Sequence, residues 1–305
     1  MAILTYLTKF LVYYALTTIA FYMLSLVIPK AAFVARALAA YICLLLAAGS
    51  GVFTSILMRL VGYGHSAQWA VGRCYAFLMA LTTGIRFEIV DPHNVLNTTR
   101  PAVFVGNHQT ELDVLMLGAM FPQHCSMTAK SSLKRTPFLG WFMTLSGCIF
   151  INRTKAQDAR EAMRKASAEM RDKAQSVYLF PEGTRSYSRE PELLPFKKGA
   201  FHLAVEGQVP IVPCVVANYS HVLWIKGLVF RSGTIPIKVM DPIPTKGLTT
   251  ADVDELTRST RELMLKELIS LTEQARGKTP ASRLPTTAEI NGAVKASGVD
   301  MKVAA

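Results

Sequence analysis

The chain has 305 residues, of which 51% are hydrophobic and 18% charged, with 33 Lys and Arg against 21 Asp and Glu. That apolar share excludes a disordered chain, and a mean hydropathy of +0.29 is high for a soluble protein of this size. The net charge of +12 points to an anionic partner, either phospholipid headgroups or a phosphorylated substrate. Nucleic acid fits poorly, because Lys and Arg are mixed with acids along helical stretches such as Arg160 to Lys173. The five cysteines are odd in number and lack CxxC spacing, which suggests buried thiols and neither a disulfide framework nor a zinc site.

No acid precedes Glu88, so the apolar excess lies at the N-terminus. Phe10 to Pro29 is twenty residues without a charge. As a helix it would span roughly 30 Å, the thickness of a bilayer core. Ala37 to Met58 is likewise uncharged, bracketed by Arg36 and Arg59, and predicts a second crossing. Lys30 and Arg36 then fall in the connecting loop, opposite Lys9, Arg59 and Arg73, a small margin for a cytosolic domain after Arg59. Ala67 to Ile85 carries Trp69, Tyr75 and Phe77 but also Arg73, which suits a helix lying along the interface.

From Arg86 short apolar runs alternate with polar stretches of helical period, the signature of an α/β fold. Strands are predicted at Arg86 to Val90, Ala102 to Gly106, Ser126 to Ala129, Cys148 to Ile151, Val177 to Phe180, Ile211 to Val216 and Ile235 to Val239. Helices are predicted at Glu111 to Met120, Lys155 to Lys173, Gly199 to Glu206 and Ala251 to Thr272. The expected organisation is membrane-anchoring helices over 1–85, a mixed sheet flanked by helices over 86–275, and a flexible tail over 276–305.

The chemistry concentrates at strand ends. Val105 to Asp113 leaves a buried strand through Gly106, which would let the chain turn sharply, and enters a helix. Asp113 in its first turn can reach back to one nitrogen of His108 and leave the other as a general base. The plain alternative is a loop histidine among helix-capping residues, and spacing alone leaves the two about even.

Phe180 to Ser186 follows another strand and supplies Glu182, Gly183, Thr184 and Arg185. Arg185 could grip a phosphate, and Glu182 could accept from a substrate hydroxyl or hold Arg185 in place. An ordinary loop with a surface ion pair would look the same. Gly147 to Arg153 ends a strand in a cation, and Lys197 and Lys198 precede a helix. Pro210 and Pro213 flank or edge a strand, where a missing amide does least harm.

Taken in this order, the four motifs resemble those of the glycerophospholipid acyltransferase family, specifically the 1-acyl-glycerol-3-phosphate acyltransferases. The matching residues are Asn107-His108 with Asp113, Gly147 to Arg153, Phe180 to Ser186 and Val209 to Pro213, within about residues 86 to 245. The resemblance implies acyl transfer from acyl-CoA to the sn-2 hydroxyl of lysophosphatidic acid, giving phosphatidic acid at the endoplasmic reticulum membrane. It implies His108 as base oriented by Asp113, and Glu182, Gly183, Thr184 and Arg185 on the glycerophosphate with help from Arg153. No metal or redox cofactor is implied, acyl-CoA being a co-substrate, and Lys130, Lys134 and Arg135 become candidates for CoA phosphates or lipid headgroups. Glu111 departs from the family pattern, which commonly has a small or apolar residue there. It could act on the imidazole or simply face water. The competing readings are an acyltransferase acting on glycerol 3-phosphate or another lysophospholipid, and a non-catalytic lipid-binding protein.

Overall fold

The computed structural model describes residues 2–152 and 156–277. Three helices open the chain: α1 (Ala2–Leu24), α2 (Ala31–Leu60) and α3 (Ala67–Thr83). Alanines and a cysteine four residues apart on α2 (Ala31, Ala35, Ala39, Cys43, Ala47) form its buried stripe, which lets α3 approach closely. The opposite faces leave Phe10, Tyr13, Leu16, Phe53, Leu57, Phe77 and Leu81 exposed, an apolar surface suited to lipid.

The predicted pair of crossings is only partly met. Among the described residues one helix, Ala31–Leu60, is long and apolar enough to span a bilayer, while the apolar part of the first covers Thr8–Leu24. The first helix stops short of Pro29, and the second begins directly after Lys30. Arg36 therefore sits inside α2 and not in the connecting loop. It donates through Nε to the Thr83 carbonyl at 3.2 Å and through Nη1 to the Phe230 carbonyl at 3.0 Å. Its charge ties α2 to the rest of the protein, which removes it from the count of loop cations.

All seven predicted strands form within two residues of their expected limits: β1 (Ile85–Val90), β2 (Val103–Gly106), β3 (Cys125–Lys130), β4 (Ile149–Ile151), β5 (Ser176–Leu179), β6 (Ile211–Val216) and, after a hairpin, β9 (Gly233–Val239). The hairpin, β7 (Leu223–Trp224) with β8 (Val229–Phe230), is too short to show in the sequence, as are α4 (Val95–Thr98) and α6 (Leu139–Leu145). The longer helices are α5 (Asp113–Met120), α7 (Ala156–Lys173), α8 (Gly199–Gly207) and α9 (Val253–Ala275). Among the described residues the sheet runs β1-β9-β6-β2-β5-β3-β4, parallel throughout except where β6 meets β9. Of the predicted tail over 276–305, Arg276 is held by the Arg189 carbonyl and Asn218 Oδ1, and residues 278–305 lie outside the described residues.

The central strands are buried on both faces, which is why they read as unbroken apolar runs. Phe104 of β2 faces a core shared with α3 and α5, whereas Val103 and Val105 face one shared with α7, α8 and α9. Pro213 lies within the central strand β6 and not at an edge. Its carbonyl accepts from Met240 N on the β9 side, and the ladder with β9 begins only at Cys214. The missing amide thus falls in a gap of that ladder.

Helices α3 and α5 touch backbone to backbone. A Cβ at Gly118 would stand 2.7 Å from the Gly72 carbonyl oxygen, and one at Gly72 would stand 3.1 Å from Gly118 Cα. Gly118→Ala is expected to lower stability by about 1 to 3 kcal/mol by forcing the helices apart. Thermal denaturation in detergent checks this.

Candidate active site

Neighbouring parallel strands deliver the two principal motifs to one sheet edge. β2 and β5 pair from Val103↔Val177 to Val105↔Leu179, so the loops that follow them leave side by side. The loops then bond to one another: Ser186 N donates to the His108 carbonyl at 3.0 Å and Tyr187 N to the Gln109 carbonyl at 3.1 Å. Gly106 is required here for space and not for a left-handed turn, since a Cβ would overlap the Tyr178 hydroxyl.

Asp113 opens α5 and is fully buried. Its Oδ2 accepts from the Gln109 amide at 2.6 Å and the Thr110 amide at 3.1 Å, and lies 2.6 Å from His108 Nδ1. Its Oδ1 accepts from the Tyr219 hydroxyl at 2.7 Å. A carboxylate that only accepts requires the proton on Nδ1, which leaves the Nε2 lone pair free. The imidazole stacks on Phe180 with centroids 4.1 Å apart, and its side chain is 15% exposed. One face of the ring is therefore fixed, and part of the side chain stays open to solvent.

Glu182 ties this loop to the next. Its Oε1 accepts from His108 N at 2.7 Å and its Oε2 from Leu194 N at 2.9 Å, with only 3% of the residue exposed. Burial pushes its pKa up to about 7, against the pull of the two amides. Arg185 is held by a different carboxylate: Nη1 donates to Glu111 Oε1 at 2.9 Å and to Tyr187 Oη at 3.2 Å. Burial works against its charge, but Tyr187 and Glu111 outweigh it and the pKa lies above the ordinary value.

Beside Glu111 and Arg185 runs a groove of about 530 Å³ between α2, α3, α5, α6 and the hairpin. Apart from those two residues its lining carries no charge; Ala37, Leu44, Val71, Leu117, Phe142 and Leu223 are typical of it. Among the described residues no three His, Cys, Asp or Glu come together as metal ligands.

A family model described as Acyltransferase matches residues 86–217. The 1-acyl-sn-glycerol-3-phosphate acyltransferase of Saccharomyces cerevisiae is 43% identical over 218 residues, 72% of this chain and 71% of that protein. The human 1-acyl-sn-glycerol-3-phosphate acyltransferase beta is 38% identical over 82% of this chain and 84% of its own length. The chain belongs to this acyltransferase family. The fold also matches the crystal structure of the 1-acyl-sn-glycerophosphate acyltransferase PlsC from Thermotoga maritima, with a TM-score of 0.59 and 21% identity over 84% of this chain and 96% of that one.

The acyltransferase brings the loops that carry His108, Asp113, Glu182 and Arg185 side by side. Gly183 takes a left-handed conformation, φ +71°, beneath the Lys197 side chain, and Thr184 is exposed. Lys198 pairs instead with Asp254, and Lys134 stands over the Phe150 ring. Arg153 lies outside the described residues. Sequence reasoning missed Tyr219, a lone tyrosine 106 positions beyond Asp113 that no spacing connects to it. It also expected Glu182 to meet a substrate hydroxyl or Arg185, whereas its oxygens face two backbone amides.

Proposed function

We propose that the enzyme acylates the sn-2 hydroxyl of lysophosphatidic acid from acyl-CoA, giving phosphatidic acid, with His108 as general base and Asp113 as its orienting partner. The 2.6 Å contact between His108 Nδ1 and Asp113, beside the loop that carries Arg185, is the observation that carries this reading. Nε2 takes the hydroxyl proton as the oxygen attacks the thioester carbonyl. Collapse of the tetrahedral intermediate breaks the carbon–sulfur bond, and the CoA thiolate receives the proton back from the imidazolium. Asp113 offsets the imidazolium charge in between. A thioester needs no covalent enzyme intermediate, so no Ser nucleophile is required.

Arg185 takes the acceptor phosphate, and the apolar groove takes an acyl chain. An acceptor with both a phosphate and a tail matches this pairing of cation and groove better than glycerol 3-phosphate, which has no tail. Helix α2 and the apolar faces around it hold the site at a membrane surface, where both substrates concentrate. In a relative of the yeast and human enzymes that membrane is taken as the endoplasmic reticulum.

Arg185→Ala is expected to raise the KM for lysophosphatidic acid about ten- to a hundredfold while kcat changes little, because a charge-assisted phosphate contact is lost. Initial rates of radiolabelled transfer in mixed micelles measure it, and an unchanged KM would remove Arg185 from the phosphate site.

A further inference from the structure

Glu111 is a carboxylate for which the proton transfer has no use. Its Oε1 accepts from Arg185 Nη1 at 2.9 Å and from the Tyr187 hydroxyl at 2.7 Å, and Nη1 also reaches that hydroxyl at 3.2 Å. The three side chains close a triangle at the charged end of the groove. It occupies the guanidinium at one nitrogen, while Nε is buried without a hydrogen-bond partner. The pair stays open to a ligand, Arg185 being 34% exposed and Glu111 47%.

We propose that Glu111 is a positioning residue that acts through Arg185 as an exchangeable counter-anion. Its carboxylate holds the guanidinium in the empty site, yields Nη1 to the acceptor phosphate, and takes it back as the phosphate-bearing product leaves. This rests on Arg185 being the phosphate grip. The empty cluster is neutral, one cation against one anion, so an incoming phosphate both displaces and is repelled by the resident carboxylate. Acceptor and product carry the same phosphate, and both are weakened. Such uniform weakening raises KM and shortens the stay of the product. The Tyr187 hydroxyl keeps Glu111 within reach while the phosphate is bound.

The test compares wild type, Glu111→Gln, Tyr187→Phe, Arg185→Ala and the Glu111→Gln/Arg185→Ala double variant of the full chain in mixed micelles. Glu111→Gln keeps the shape of the side chain and removes its charge. Its KM for lysophosphatidic acid is expected to fall about two- to fivefold, the range of a partly exposed ion pair, with inhibition by added phosphatidic acid strengthened by the same factor. Tyr187→Phe, which removes one hydroxyl, shifts both constants in the same direction by less. With monoacylglycerol, an acceptor lacking the phosphate, Glu111→Gln leaves the acceptor KM unchanged, and on the Arg185→Ala background it changes neither constant further. A KM for lysophosphatidic acid that stays level or rises in both Glu111→Gln and Tyr187→Phe, while Arg185→Ala raises it, overturns the counter-anion role alone. An Arg185→Ala enzyme with wild-type KM overturns the phosphate grip and the counter-anion with it.

Discussion

His108→Ala is expected to cut kcat by at least about a thousandfold, the largest loss available to a single substitution in this enzyme. In the proposed mechanism the imidazole takes the acceptor proton, with Nδ1 committed to Asp113 and its face against Phe180. Asp113→Asn should cost about a hundredfold or more for a different reason. Asp113 accepts from His108, two backbone amides and Tyr219, and an amide can accept on one side only. The asparagine would present N–H to a donor and release the imidazole to the wrong tautomer. The acceptor KM should hold in His108→Ala, because the Arg185 cluster is built from other residues. Rates of thiol release from acyl-CoA by purified variants measure both effects. A His108→Ala enzyme that retained a tenth of the wild-type rate would remove His108 from the role of general base.

The sequence made the local parts of this site legible and left its assembly unread. Asp113 lies five positions after His108, and a loop entering a helix at Asp113 folds that spacing back on itself. Each central strand could be found as an apolar run. Such a run, buried on both faces, carries no mark of its neighbours, so the pairing of β2 with β5 that joins the two motifs had no signal. Tyr219 and Leu194 reach the site from the loops after β6 and before α8, through contacts that the same topology sets. The same gap explains Glu182, whose partners are backbone amides that no side-chain pattern encodes. Arg36 shows the opposite error: a charge beside an apolar run reads as the end of a helix, whereas here two carbonyls brought in by α3 and the hairpin satisfy it inside one.

Glu182→Gln is expected to destabilise the enzyme by about 1 to 3 kcal/mol, since Gln offers one acceptor where His108 N and Leu194 N need two. The loosened backbone of His108 should lower kcat by about tenfold to a hundredfold as the base drifts from its position. The pH dependence identifies the cause. Burial holds the Glu182 pKa near 7 in the folded enzyme, against 4.5 as the ordinary value. Between those two values the folded state keeps a proton that the unfolded chain has released, so the wild type loses stability as pH rises through that window. The Gln variant has no such proton. Its deficit relative to wild type should therefore be largest near pH 5 and shrink by on the order of 2 kcal/mol by pH 8. Thermal denaturation of both proteins in detergent across that range measures the difference. A deficit that grew with pH would mean that the two amides, and not burial, govern this carboxylate, and that Glu182 is held ionised as the anchor of both loops.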